Sequence, residues 1–126
     1  MNASELKHGL SNFWGSETFT RHPLNRRVVY TEGAKFFFDN AGNGAYWLLD
    51  ILATEPAILK EAEQFTHVTL TVAEHGGVAH LNVTDGGKEG DAAQSVYHRR
   101  IDWTDCPPGD WEFFFENMTV MLPGER

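Results

Sequence analysis

Apolar and polar residues alternate strictly over two neighbouring stretches of the chain, His67–His75 and Val78–Thr84. The glycines between them, Gly76-Gly77, are a typical hairpin turn, so the pattern predicts a β-hairpin. A two-residue loop would pair apolar residues across the strands, as Leu70–Val83 and Val72–Leu81. The polar residues would then share the opposite face of the hairpin: His67, Thr69, Thr71, His80 and Asn82.

Shorter runs of aromatic and β-branched residues predict further strands elsewhere in the chain. They are Arg27–Thr31, Ala34–Asp39, Gln94–Trp103, Trp111–Phe115 and, as a last edge strand or a tail, Thr119–Leu122. In the fourth of these, alternation places Trp111, Phe113 and Phe115 towards the core.

Helical spacing dominates the N-terminal half. Leu6, Leu10, Phe13 and Trp14 recur at the intervals of one apolar helix face, which predicts a short helix that Asn2 or Ser4 caps and Gly15 ends. We assign these aromatic residues to the core rather than to a ligand site. Two more helices are predicted at Ala45–Ala53, which is apolar almost all round and therefore central to the fold, and at Pro56–Gln64.

These elements predict an α+β fold in which a helical N-terminal half packs against an antiparallel β-meander. A length of 126 residues fits a single domain, residues 1–126, and a hydrophobic content of 41% is enough for one core. The segment Asp85–Asp91 is predicted to be an acidic loop.

Charge is distributed unevenly along the chain. The net charge is −8, yet residues 1–35 hold five basic against three acidic residues. The last quarter is acidic and has no Lys or Arg between Asp102 and Glu125. Direct binding to nucleic acid is disfavoured there, because phosphate would be repelled, and a basic partner surface is favoured. The alternative is that the acidity serves only solubility.

Cellular location is predicted from what the chain lacks. A single cysteine, Cys106, allows no disulfide within the chain. Glu5 and Lys7 interrupt the region where a signal peptide would be apolar, and no stretch approaches the roughly 20 apolar residues of a membrane span. We therefore expect a cytoplasmic protein that has no membrane partner.

Catalytic signatures are weak. Three histidines, His75, His80 and His98, could converge on zinc from adjacent strands, or they could be exposed strand residues without a shared ligand. Cys106 lies among aspartates, which disfavour a thiolate nucleophile. The common nucleotide-binding and zinc-binding motifs are absent from the sequence. We expect no enzyme activity, no metal site and no cofactor.

A binding surface is the stronger prediction. Carboxylates and aromatic residues interleave near the C-terminus, a combination that suits an interface with Arg or Lys of a partner. The candidate partner-binding residues are Asp102, Asp105, Asp110, Glu112, Phe114 and Glu116. The alternative is a solvated strand face with Phe114 packed under a neighbouring element. A basic cluster, Arg21, Arg26 and Arg27, would bind phosphate or pair with acids of the same chain.

Four short segments carry a family resemblance: Arg21-His22-Pro23-Leu24, Tyr30-Thr31-Glu32-Gly33, Gly44–Asp50 (GAYWLLD) and Met121-Leu122-Pro123. With them the chain resembles a family of small uncharacterised proteins encoded on bacterial plasmids, integrative elements and phages. The resemblance spans about residues 5–124 and departs at the loop 85–93. It carries over no catalytic residues.

The resemblance implies a counter-defence role. Small acidic proteins in that setting are often counter-defence factors, including anti-CRISPR proteins, and many of these block a basic DNA-binding channel. We therefore expect an inhibitor that binds a type I CRISPR surveillance complex through an acidic, DNA-mimicking surface. The alternatives are a small metal-dependent enzyme that uses the surface histidines, and a regulatory subunit of another mobile-element protein.

Overall fold

The computed structural model describes residues 1–15, 18–87 and 92–126. Its helices are α1 (Ala3–Leu10), α2 (Glu32–Asn40), α3 (Tyr46–Thr54) and α4 (Pro56–Ala62), and a final 3-10 turn spans Pro123–Glu125. Its strands are β1 (Phe19–Arg21), β2 (Val29–Thr31), β3 (Phe65–Val72), β4 (Gly77–Thr84), β5 (Ser95–Thr104), β6 (Gly109–Glu116) and β7 (Thr119–Met121). Of the predicted acidic loop, residues 88–91 lie outside the described part.

The strands form one sheet in the order β1-β2-β7-β6-β3-β4-β5, with the helices against one of its faces. All neighbouring strands are antiparallel except β2 and β7, which are parallel. The predicted α+β class is confirmed. The order differs from a simple meander because β3 lies between β4 and β6, and because β1 and β2 come from the N-terminal half.

The core lies between the helices and this inner face of the sheet. Helix α3 is its centre, as its apolar sequence predicts, with Leu48, Leu49 and Leu52 buried. The rings of Phe37 and Phe113 meet at 5.0 Å between centroids, which joins α2 to β6. Burial of each such side chain contributes about 1.5–3 kcal/mol, so the helix–sheet contact is the main stabilising layer. No helix in the described part of the chain is both long enough and apolar enough to span a membrane.

The strand predicted at Ala34–Asp39 is wrong, because this segment belongs to α2. Thr31 caps the helix, since its Oγ1 accepts a hydrogen bond from the backbone N–H of Ala34 at 3.2 Å. Phe37 and Phe38 are buried one turn further on. Helical packing on the sheet therefore overrides the strand preference of three consecutive phenylalanines.

The predicted hairpin exists, but its register is displaced by two residues. Leu70 lies opposite Leu81, and Val68 opposite Val83. The displacement arises because the loop is longer than two residues: the backbone N–H of Ala73 donates to the carbonyl of Val78 at 2.9 Å, which leaves four residues in the turn. The inward and outward faces are nevertheless those predicted, because a shift of two positions preserves alternation.

The C-terminus is held by a buried carboxylate. Glu125 accepts hydrogen bonds from the Thr31 hydroxyl at 2.6 Å and from the backbone N–H groups of Gly33 and Leu122 at 3.1 and 3.0 Å. A Cβ on Gly33 would clash with this carboxylate, so glycine is required for the close approach. The negative charge lies at the N-terminus of α2, where the helix dipole favours it.

Candidate functional site

Strand β6 presents two different faces. Trp111, Phe113 and Phe115 point inward and are buried. The alternate residues, Asp110, Glu112, Phe114 and Glu116, lie on the sheet face opposite the helices, which we call the open face. Their side chains recur every second residue, about 7 Å apart along the strand. The structure thus brings together four of the six candidate partner-binding residues.

The other two candidates lie elsewhere. Asp102 is on β5, at the far margin of the sheet, with β3 and β4 between it and β6. It forms an ion pair with Arg100, at 3.2 Å from Nε to Oδ1. Asp105 lies on the helix side, where its Oδ2 accepts the backbone N–H of Asn43 at 2.8 Å. The expected six-residue patch is divided because β5 and β6 follow one another in sequence but are not neighbours in the sheet.

One of the three β6 carboxylates forms an ion pair with an arginine of the same chain. Arg126 pairs with Glu116 at 2.8 Å, and its guanidinium lies over the Phe114 ring at 5.3 Å. Glu112 has only a longer approach to His67, at 3.8 Å. No ion pair of Asp110 is found in the described part of the chain. The uncompensated negative charge of β6 therefore lies at Asp110 and Glu112.

An apolar groove adjoins these two carboxylates. It has a volume of about 420 Å³ and is lined mainly by Leu10, Phe13, Trp14, Leu122 and Pro123, with Lys7 at one side. The groove exists because β7 pairs only with the last three residues of β6, so the edge of β6 away from β3 has no strand beside Gly109–Phe113 among the described residues. We call this groove, together with Asp110 and Glu112, the β6 groove.

Trp14 is the exposed aromatic residue of the β6 groove. The sequence predicted it to be in the core, on a helix that continued to Gly15. That prediction is wrong, because α1 ends at Leu10 and the Trp14 residue is 79% exposed. The predicted start of the helix is confirmed, since Asn2 caps it. Phe13 remains partly buried against Phe36, with ring centroids 5.4 Å apart. A large exposed aromatic beside carboxylates is typical of interfaces.

The remaining candidate groups are the three histidines and Cys106. The His80 and His98 rings stack at 5.4 Å, while His75 lies in the β3–β4 turn. Among the described residues, no three side chains of metal-binding type come together. Burial, and secondarily the negative charge of Asp105, raises the pKa of the Cys106 thiol to about 12. A thiol with that pKa carries almost no thiolate at neutral pH.

Two side chains of the basic cluster, those of Arg21 and Arg27, have contacts within the chain. Arg27 donates to Glu63 at 2.8 Å, and the Arg21 guanidinium donates to the backbone carbonyl of Arg26 at 2.8 Å. Arg27 thus has an acidic partner, as the pairing interpretation expects, whereas the Arg21 contact is with a backbone carbonyl.

A protein-family model matches residues 4–126, which include both β6 and the groove beside it. The chain belongs to DUF6876, a family of unknown function. Searches of curated proteins and of solved structures find no match.

Two of the four segments that carry the resemblance, Arg21–Leu24 and Gly44–Asp50, are joined by a buried histidine that sequence reasoning missed. His22 is fully buried, and its Nδ1 accepts the backbone N–H groups of Leu24 and Asn25 at 3.2 and 3.0 Å. The ring proton must therefore be on Nε2, which donates to Asp50 Oδ1 at 2.8 Å. Because both nitrogens are occupied, this pair fixes the turn after β1 on α3 and is not a general base.

Proposed function

We propose that this DUF6876 protein acts by binding a protein partner with a basic surface, and that it does so through the β6 groove. The proposal is supported by one juxtaposition: an apolar groove with an exposed tryptophan, bordered by the carboxylates of Asp110 and Glu112. Interface energy is concentrated in aromatic anchors that fill pockets, and neighbouring charges select the partner and its orientation. This arrangement offers both.

The partner that we propose is a type I CRISPR surveillance complex, whose basic DNA-binding surface the protein would block. Support comes from the resemblance to proteins of bacterial mobile elements and from the spacing of the two carboxylates along one strand. With only two uncompensated carboxylates on β6, docking combines apolar contact with charge and is not an all-acidic imitation of DNA. The proposal needs no catalytic group and no cofactor, and it places the protein in the cytoplasm of the bacterial host.

The test uses a purified type I complex, a labelled duplex target and the full-length protein. The wild-type protein should lower DNA binding by the complex, as measured by fluorescence anisotropy. Trp14→Ala, and separately Asp110→Lys with Glu112→Lys, should each weaken inhibition by about tenfold or more, which corresponds to about 1.4 kcal/mol of binding free energy.

The matched control is Glu63→Lys with Glu74→Lys, which makes the same change in net charge away from the β6 groove. It should inhibit within about twofold of wild type, because remote exposed charges affect mainly the association rate. Unchanged inhibition by the groove variants would place the interface elsewhere. If wild-type protein inhibits no type I complex but Trp14 still governs capture of another protein, the regulatory-subunit alternative replaces the inhibitor.

A further inference from the structure

Strand β5 is the last strand of the sheet at the margin far from the β6 groove. Ten residues long, it pairs only with β4 in the part of the chain that the structure describes. Its outer edge therefore presents backbone N–H and C=O groups that can accept another strand. Most of its side chains are exposed, and the Trp103 residue is 73% exposed.

Residues 99–103 of β5 have a specific order of charges on each face. Arg99, Ile101 and Trp103 lie on the helix side, where they border a groove beside Trp47 of α3. Arg100 and Asp102 lie on the open face and contact each other. The pairing of β5 with β4 shifts register between Ile101 and Thr104, and again between Ser95 and Tyr97. The alternation of side chains from Arg99 to Trp103 is shown instead by the Arg100–Asp102 contact on one face and by the shared groove on the other.

We propose that two copies of this chain associate through β5, antiparallel, about a two-fold axis that passes through the sheet at Ile101. Antiparallel pairing about this axis puts Ile101 opposite its own copy. Arg100 of each chain then lies opposite Asp102 of the second copy, and Arg99 lies opposite Trp103 of the second copy. The first pair is ionic and the second is a cation–aromatic contact. Because the interface has two-fold symmetry, each of these contacts occurs twice.

The charges select this register over its neighbours. Symmetric pairing keeps the helices of both copies on the same side of the sheet only when the axis passes through a single residue. Centring on Arg99 or Arg100 would place like charges of two arginines directly opposite, and centring on Asp102 would place two aspartates opposite. Of these four registers, only the one centred on Ile101 places opposite charges across the interface from each other.

The dimer would join two seven-stranded sheets edge to edge and cover the exposed Trp103. Each copy would keep its own β6 groove exposed, because β3 and β4 separate β6 from the dimer interface. Association through β5 is therefore independent of the proposed function, and it would present two copies of the groove to partners.

Exchange of charges tests the pairing directly. Sedimentation equilibrium of the full chain at micromolar concentrations should show a dimer for wild type. Arg100→Asp sets Asp opposite Asp, and Asp102→Arg sets Arg opposite Arg, so each variant alone should dissociate at least about tenfold more readily. An equimolar mixture of the two should recover the dimer, because every 100–102 pair is then of opposite sign.

Recovery in the mixture also shows that both variants are folded. Asp110→Arg, a charge reversal on the same open face but at β6, is the control and should remain dimeric. A monomeric wild type would overturn the proposal, and so would single variants that stay dimeric or a mixture that does not recover.

Discussion

Glu125 and Glu112 come from the same acidic quarter of the chain but have opposite surroundings. Glu125 is 8% exposed and accepts hydrogen bonds from one hydroxyl and two backbone N–H groups. The Glu112 side chain is 54% exposed, and the His67 imidazole lies 3.8 Å from its carboxylate. One carboxylate organises the fold, whereas the other is available to a partner.

Acidic residues that are close together in the sequence therefore do not form one acidic patch on the surface. Asp105 and Glu125 satisfy backbone N–H groups, and Asp102 and Glu116 have arginine partners. Contact with backbone donors, rather than charge itself, separates structural from available groups. Buried polar groups are costly to leave unpaired, so removing a structural group should destabilise the fold far more than removing an available one.

His22 provides the largest expected effect. Replacing it with Ala leaves two backbone N–H groups without their acceptor and opens a cavity under α3, so His22→Ala should lower the free energy of unfolding by about 3 kcal/mol. Urea denaturation followed by circular dichroism measures this. His75→Ala, in the exposed β3–β4 turn, is the control and should change stability by less than about 0.5 kcal/mol. An equal loss of unfolding free energy in His22→Ala and His75→Ala would contradict a structural role for the contacts between His22 and the backbone.

Asp39 provides the smallest expected effect and a pH dependence. Burial alone would raise the pKa of Asp39, but hydrogen bonds from Lys35 and Tyr46 outweigh it and lower the pKa. Tyr46, whose pKa is raised by burial and by this bond, stays a donor throughout. Since the folded pKa lies below the unfolded value of about 3.9, the stabilisation is present above that pH and is lost as pH falls through the folded pKa.

The side chain of Asp39 is 40% exposed, so the effect is discounted for solvent screening to about 0.5 kcal/mol or less. Asp39→Asn should be less stable than wild type by that amount near neutral pH, and the difference should shrink in acid. Thermal unfolding across pH 2–7 measures it. A difference that stayed constant to the lowest pH would show that charge is not its cause.

Strong periodicity made much of the fold predictable from sequence. The hairpin faces, the buried helix α3 and the inward residues of β6 all follow from alternation or helical spacing. The strand predicted at Ala34–Asp39 failed because three phenylalanines suggested β structure. Thr31 as a cap and the spacing of Ala34, Phe37 and Phe38 were present in the sequence and predict a helix when weighed together.

The candidate site was less predictable because it depends on strand order. Nothing local in the sequence states that β3 separates β4 from β6, and this insertion divides Asp102 from Asp110. The β6 groove depends on the short β7 and on the end of α1 at Leu10, both of which are set by tertiary packing. Trp14 was therefore assigned to the core, although only its position relative to the helix end decides its exposure.

The most direct test of the division among acids compares two neutralising changes in the same denaturation experiment. Glu125→Gln preserves shape but leaves at least one buried N–H group without its acceptor, so it should lose about 2 kcal/mol of stability. Asp110→Asn with Glu112→Asn removes two exposed charges and should change stability by less than about 0.5 kcal/mol. A double variant that lost as much stability as Glu125→Gln, or a Glu125→Gln protein as stable as wild type, would contradict the division.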